Sequence, residues 1–171
     1  MMEAVQDYEA AVRYYKEAFA LEPVQADVWY FINNNLGFSL NTLGRFAEGE
    51  KYCRKALEVD PSRHNAHKNL GIALAGQGAY AEAAKCFVRA TQANAADPRA
   101  SHLLRGLLRD HPELEFEFGD AAESCQKAVQ SVGKKVEQLK PVVHRGWQKR
   151  LILLCSRLRS WIQKVSGRRS G

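Results

Sequence analysis

An all-α fold of repeated helix–turn–helix units, continued by a helical C-terminal extension, is what these 171 residues predict. Three observations carry that reading. The chain resembles itself at an offset of 34 residues: Asn35 aligns with Asn69, Leu36-Gly37 with Leu70-Gly71, Gly44 with Gly78, Phe46 with Tyr80 and Ala56 with Ala90. Apolar residues around these marks recur every three or four positions, the period of a helix. Gly44-Arg45 and Gln77-Gly78-Ala79 interrupt that period at the middle of each unit, where a short turn reverses the chain. Units of this kind bury their apolar faces only by stacking on neighbours. A composition of 46% hydrophobic and 26% charged residues supports a packed core and argues against global disorder.

Taken in order, residues 1–23 read as a partial repeat with only its second helix: Tyr8, Ala11, Tyr15, Ala18 and Pro23. Residues 24–63 read as a full repeat carrying Leu36-Gly37, Leu40, Gly44, Phe46, Cys53, Ala56-Leu57 and Pro61. Residues 64–97 repeat it with Leu70-Gly71, Leu74, Gly78, Tyr80, Ala83, Phe87 and Ala90. The small residues let neighbouring helices approach, and Phe46, Tyr80 and Phe87 fill the gaps between them. At this point the chain resembles the tetratricopeptide repeat family, whose 34-residue signature sets Trp, Leu-Gly, Tyr, Gly, aromatic, Ala, aromatic, Ala and Pro at fixed places. Three departures stand beside the match. The first helix before Tyr8 is absent. Leu36-Gly37 arrives four residues late after Trp29, which an extra helical turn absorbs without changing the helix face. Pro98 comes three residues late after Ala90, which a small loop insertion absorbs. Residues 98–112 then read as a capping helix with Leu103, Leu104, Leu107 and Leu108, closed by His111-Pro112.

Residues 113–139 read as a helical extension. Glu113 to Phe118 alternates acidic and apolar residues and is taken as a hinge or helix start. Asp120 to Glu123 is a variant capping box, Asp-x-x-Glu. A stripe of Ala122, Cys125, Val129, Val132, Val136 and Leu139 follows. Residues 140–171 hold nine Lys/Arg and no Asp/Glu, so the pI of about 9.2 belongs to this segment. Val143, Trp147, Leu151, Leu154, Leu158, Trp161 and Val165 make its apolar stripe, and Lys149, Arg150 and Arg157 belong to the same basic amphipathic helix. Three roles are open for it: a hairpin on the 120–139 helix, docking on an anionic membrane surface, or a helix offered to a partner. Nucleic acid is disfavoured, because no winged, zinc or sheet module accompanies the basic residues.

The family resemblance implies function as well as fold. In such repeats the first helix of each pair lines a concave surface that binds other proteins, with ligand-facing residues at the second, fifth, ninth and twelfth positions. Those are Phe31, Asn34, Phe38 and Asn41 in one repeat, and Asn65, Lys68, Ile72 and Ala75 in the next. Asn35 and Asn69 stand beside them. His102, Arg105 and Arg109 follow if the third helix keeps the phase. The expected partner is an extended peptide or helix of another protein, with an apolar residue over Phe31 and Phe38 and an acidic one over Lys68 and Arg105. Some family members clamp the C-terminal carboxylate of heat-shock chaperones. Asn34 and Phe38 occupy the first two clamp places here, Asn69 matches the next, and His102 and Gly106 stand at the third, so the clamp is not assigned. A membrane-docked adaptor is the alternative, and a homo-oligomer using the first helix and the tail is a third reading.

Catalytic signatures are missing. There is no phosphate-binding glycine loop, dinucleotide fingerprint or nucleophile elbow. His64 and His67 lack an evident third ligand, so no metal or other cofactor is expected. Cys53, Cys86, Cys125 and Cys155 form no Cys-x-x-Cys, which fits free thiols in a reducing, cytoplasmic compartment. The N-terminus carries no secretory pattern, and the longest apolar run, Leu151–Cys155, is far short of the roughly 18 residues of a membrane span.

Overall fold

The structure is a computed structural model that describes residues 2–21 and 25–138, with side chains from residue 7. The basic amphipathic segment, with Trp147, Lys149, Arg150, Leu151, Leu154, Arg157, Leu158 and Trp161, lies outside the described residues. The chain divides into two units, Met1–Val129 and Gln130–Gly171. In the second unit the described residues, 130–138, are helical.

The first unit runs α1 (Met2–Ala20), α2 (Ala26–Thr42), α3 (Phe46–Val59), α4 (His64–Gly76), α5 (Tyr80–Ala93) and α6 (Arg99–Asp110). A 3-10 turn, Pro112–Leu114, leads into α7 at 115–129. No strand occurs among the described residues. From α1 to α6 each helix packs on the next, and α2 also packs on α4, so first helices lie beside first helices.

The two inter-helix turns are the same device written twice. At the end of α2, Gly44 N–H donates to Asn41 O at 3.0 Å and Arg45 N–H to Leu40 O at 2.9 Å. At the end of α4, Gly78 N–H donates to Ala75 O at 3.0 Å and Ala79 N–H to Leu74 O at 2.9 Å. This paired pattern satisfies the last helical carbonyls and requires a left-handed residue at its centre. Gly44 and Gly78 supply it with φ of 74° and 80°.

Close approach fixes the other small residues. A methyl group on Gly37 would lie 2.5 Å from Cys53 Sγ, and one on Gly71 would lie 2.5 Å from the Phe87 ring. Cys53 and Phe87 are buried in the main apolar cluster with Leu70, Leu74, Ala83, Leu104 and Leu108. A second cluster joins α1 and α2 through Val12, Leu36 and Leu40. Helix α2 has 17 residues and α4 has 13. The difference of four is one helical turn, so Leu36 keeps the facing that Leu70 has in its own repeat.

The start of α7 differs from the capping box placed at Asp120. The helix begins at 115, directly after the turn opened by Pro112, so Asp120 lies inside it. The reason is visible in the alternating stretch before it. Residues two apart on a helix point about 200° apart, so Phe118 is buried in the main cluster while Phe116 is fully exposed. Alternation that reads like a strand is here one turn of an amphipathic helix. Ala122 and Cys125 continue the buried side.

Candidate functional site

A cavity of about 680 Å³ lies between α2, α4 and α6. Its apolar lining is Phe38 from α2, Ile72 and Ala75 from α4, Phe87 from α5, and Leu103 and Leu107 from α6. Lys68 from the second turn of α4 and Arg99 and His102 from the first turn of α6 add basic groups, and Asp110 adds a carboxylate at the end of α6. Phe38 remains 41% exposed, with the Tyr8 ring of α1 edge-on at 6.0 Å. Of the residues expected to face a ligand, Phe38, Lys68, Ile72, Ala75 and His102 are therefore brought together.

Lys68 is the unusual member. Only 7% of it is exposed, and its ammonium donates to Asn65 Oδ1 across 3.4 Å. Loss of solvent pulls its pKa below the ordinary lysine range; nearby Arg99 pulls the same way, and Asp97 opposes both. Arg99 is satisfied differently. Its Nε donates to Asp97 Oδ1 at 2.9 Å and its Nη2 to Asp97 Oδ2 at 2.6 Å. That hydrogen-bonded guanidinium holds the Asp97 carboxyl well below its usual range. Asn65 Oδ1 also lies 3.5 Å from Arg99 Nη2, so one neutral oxygen sits between two cations.

The asparagines behave otherwise than a ligand-facing reading expects. Asn34, Asn41 and Asn69 are all buried. Asn41 Nδ2 donates to Asn69 O at 2.8 Å, and Asn69 Nδ2 donates to Asn34 Oδ1 at 3.1 Å. Asn34 Nδ2 reaches Asn35 Oδ1 at 3.2 Å. These amides tie α2 to α4, because a buried amide is stable only when it is hydrogen-bonded. Asn41 Oδ1 also packs against Gly49, where a methyl group would meet it at 2.1 Å.

Phe31 is half exposed but does not line the cavity; it is edge-on to Tyr30 and lies beneath the Arg63 guanidinium. Arg105 and Arg109 line a different cavity, of about 780 Å³, with Glu115, Phe116 and Glu123 of α7. Arg105 Nη1 donates to Gln126 Oε1 at 3.4 Å, and Arg109 Nε to Asp110 Oδ1 at 2.9 Å. The cause is rotation: at 100° per residue Gly106 sits about 40° to one side of His102, and Arg105 about 60° to the other. Docking of α7 takes the arginine side, and the groove takes the side of Arg99, Leu103 and Gly106. Arg99, Leu103 and Leu107 are the site residues that sequence reasoning missed. The signal was their regular four-residue spacing along α6.

The remaining reactive groups are placed elsewhere. His64 Nε2 lies 3.5 Å from Asp97 Oδ2, whereas His67 Nε2 contacts Pro61 O at 2.8 Å. Among the described residues no group of three or more His, Cys, Asp and Glu is arranged to hold a metal. Burial pushes the Cys53 thiol up to about 12, and Cys86 and Cys125 are raised by the same cause. No described helix is long and apolar enough to cross a membrane.

Comparison with known proteins agrees with this geometry. The family model for the tetratricopeptide repeat matches residues 30–96. Tetratricopeptide repeat protein 7B of Homo sapiens is 33% identical over 90 residues, covering 53% of this chain and 10% of that protein. Tetratricopeptide repeat protein 7A of Homo sapiens is 32% identical over 90 residues, with the same coverage of 53% and 10%. Small glutamine-rich tetratricopeptide repeat-containing protein 2 of Mycosarcoma maydis is 30% identical over 111 residues, covering 65% of this chain and 30% of that protein. The chain thus spans about a tenth of the length of the first two relatives and under a third of the last. With their doubled glycine turn, Leu-Gly contacts and paired helices, residues 30–96 match the tetratricopeptide repeat family in both sequence and fold.

Proposed function

We propose that this chain is a non-catalytic adaptor that binds a segment of another protein, extended or helical, in the groove of α2, α4 and α6. The observation that carries the reading is the lining of the 680 Å³ cavity. Open apolar side chains beside a few polar groups are the composition of a site that holds a peptide by side-chain burial and orients it by charge. Leu103 is 37% exposed and Phe38 is 41% exposed, so both offer surface to a partner. The family match supports a protein-binding role in general; the groove and its basic groups support the choice of face and an acidic partner segment.

The test is selection of displayed random peptides on the full chain, followed by affinity measurement on Leu103→Glu. A charge at that partly exposed position leaves folding intact and repels an apolar or acidic segment. Affinity falls at least tenfold at an unchanged melting temperature if the groove is the site. Equal affinity places the site elsewhere.

A second reading is favoured by the nine Lys/Arg and absence of Asp/Glu in residues 140–171. Such a segment is attracted to anionic lipid surfaces. Co-sedimentation with phosphatidylserine vesicles, weakened by salt and lost in Trp147→Glu with Trp161→Glu, supports an adaptor at the membrane surface. Recovery in the supernatant at low salt rejects it.

A further inference from the structure

We propose that the cleft between α6 and α7 is a self-association face, on which a second copy of this chain lays its α6 over α7 of the first and its α7 over α6. The face is separate from the groove, and it stands or falls independently of the groove reading.

Shape is the first support. Phe116 is fully exposed and lines a cleft of about 780 Å³ that has buried Leu108 and Ala122 in its lining. Gly119 lines the cleft as well and fills none of it with a side chain. A lone apolar side chain on a surface is ordinary. An open aromatic ring beside a cleft that can take another ring is different, because one patch then carries both a knob and a hole. Aromatic residues and arginine, both present on this patch, are the side chains enriched where proteins meet.

Charge is the second support, and it selects the occupant. Helix α6 brings Arg105 and Arg109 to the cleft, and α7 brings Glu115, Asp120 and Glu123. Arg105 meets only the neutral Gln126. Arg109 and Glu123 pair with Asp110 and Lys127 in exposed contacts, which water weakens. Among the described residues Glu115 and Asp120 have no hydrogen bond or ion pair. A partner of one sign is attracted by one row and repelled by the other. The same patch turned over satisfies both: a two-fold axis along the cleft sets each basic row against the acidic row of the other copy, and every contact is made twice. The heights agree. Arg105 reaches Gln126, so the two lie level; α7 runs back along α6 after the Pro112–Leu114 turn, so Arg109, one turn further on, lies level with Glu123. The two Phe116 rings then meet across the axis and leave water. Leu103 and Gly106 lie on the other side of α6, so such a dimer keeps both grooves open.

The experiment is analytical ultracentrifugation of the full chain from about 10 µM to about 1 mM. Wild type is compared with Phe116→Ser and with two charge-reversed variants, Arg105→Glu with Arg109→Glu, and Asp120→Arg with Glu123→Arg. All five positions are exposed, and melting temperatures check that each variant folds. The self-association face predicts a monomer–dimer equilibrium in wild type and a dissociation constant about tenfold or more weaker in Phe116→Ser. Each charge-reversed variant alone is monomeric, because its two rows carry one sign. Mixed in equal amounts, the two variants form a heterodimer, since both row-to-row contacts regain opposite charges. A wild type that stays monomeric throughout overturns the proposal. So does a dimer that is unchanged in Phe116→Ser, which places the contact on another face. A mixture that stays as monomeric as its components overturns the paired rows. None of these outcomes bears on peptide binding by Leu103→Glu, so the groove reading is judged separately.

Discussion

Replacing Gly37 by alanine tests how closely α2 and α3 approach. The added methyl meets Cys53 Sγ at 2.5 Å, Gly49 O at 3.1 Å and Cys53 N at 3.2 Å. Comfortable contacts between such atoms are about 3.5–4.0 Å, so the shortfall is about 1 Å at sulfur and about 0.5 Å at two backbone atoms. The thiol can turn, but the backbone atoms yield only if α3 moves away from α2. Overpacking of this kind costs about 1–3 kcal/mol. Alanine recovers about 1 kcal/mol through helix propensity and chain entropy. With backbone as the obstacle the upper part of that range applies, and the net loss is about 1–2 kcal/mol. For a chain of this size that lowers the melting temperature by about 2–8 °C. Gly106→Ala is the control: it is also inside a helix, with nothing within 4 Å of the added methyl. It should raise the melting temperature by about 2–4 °C. Thermal unfolding followed by circular dichroism at 222 nm reads both. A rise in Gly37→Ala equal to that in Gly106→Ala refutes the close-approach account of the Leu-Gly positions.

Three further outcomes follow from the same structure. Gly78→Ala loses about 1–2 kcal/mol through left-handed backbone strain alone, because its φ is 80° and its methyl meets nothing; Gly78→Asn loses less, as chemical denaturation will show. Cys53 is held protonated up to about 12, against an ordinary value of 9.0. Its raised folded pKa gives stability that is fully present below pH 9 and is lost as pH rises toward about 12, since the unfolded thiol ionises first. Melting temperatures measured at intervals across that window should fall more steeply in wild type than in Cys53→Ala; equal slopes contradict the assignment. Lys68→Met should melt at or above the wild-type temperature, because an apolar side chain of similar length replaces a buried cation that makes no ion pair among the described residues. A clear fall would mean that Lys68 is satisfied in the folded chain.

What was legible in the sequence is what the backbone demands at fixed places. Gly44 and Gly78 must be glycine because their φ is positive, so their spacing marked the turns without any structure. Gly37 and Gly71 must lack a side chain because Cys53 and Phe87 sit where one would go. Asparagine carries no such direction. Asn34, Asn41 and Asn69 serve equally well on a wet concave face or in a buried amide ladder, and only the packing of α2 on α4 decides for the ladder. The rotation of α6 was hidden for a related reason. No Leu-Gly mark follows Pro98, so nothing in the pattern says whether Arg105 or Leu103 faces the groove. The docking of α7 on α5 and α6 settles it: Phe118 enters the core and Glu117 pairs with Lys85 at 3.5 Å on one side, while Gln126 meets Arg105 on the other. That is tertiary information which local periodicity does not contain.

The most direct measurement of the central claim is chemical-shift mapping of a selected peptide on the isotope-labelled full chain. The account predicts that the largest amide and side-chain changes fall on Phe38, Lys68, Ile72, His102 and Leu103, with the α6–α7 cavity around Phe116 undisturbed. Changes concentrated on Arg105, Phe116 and Glu123, with the groove silent, would contradict it.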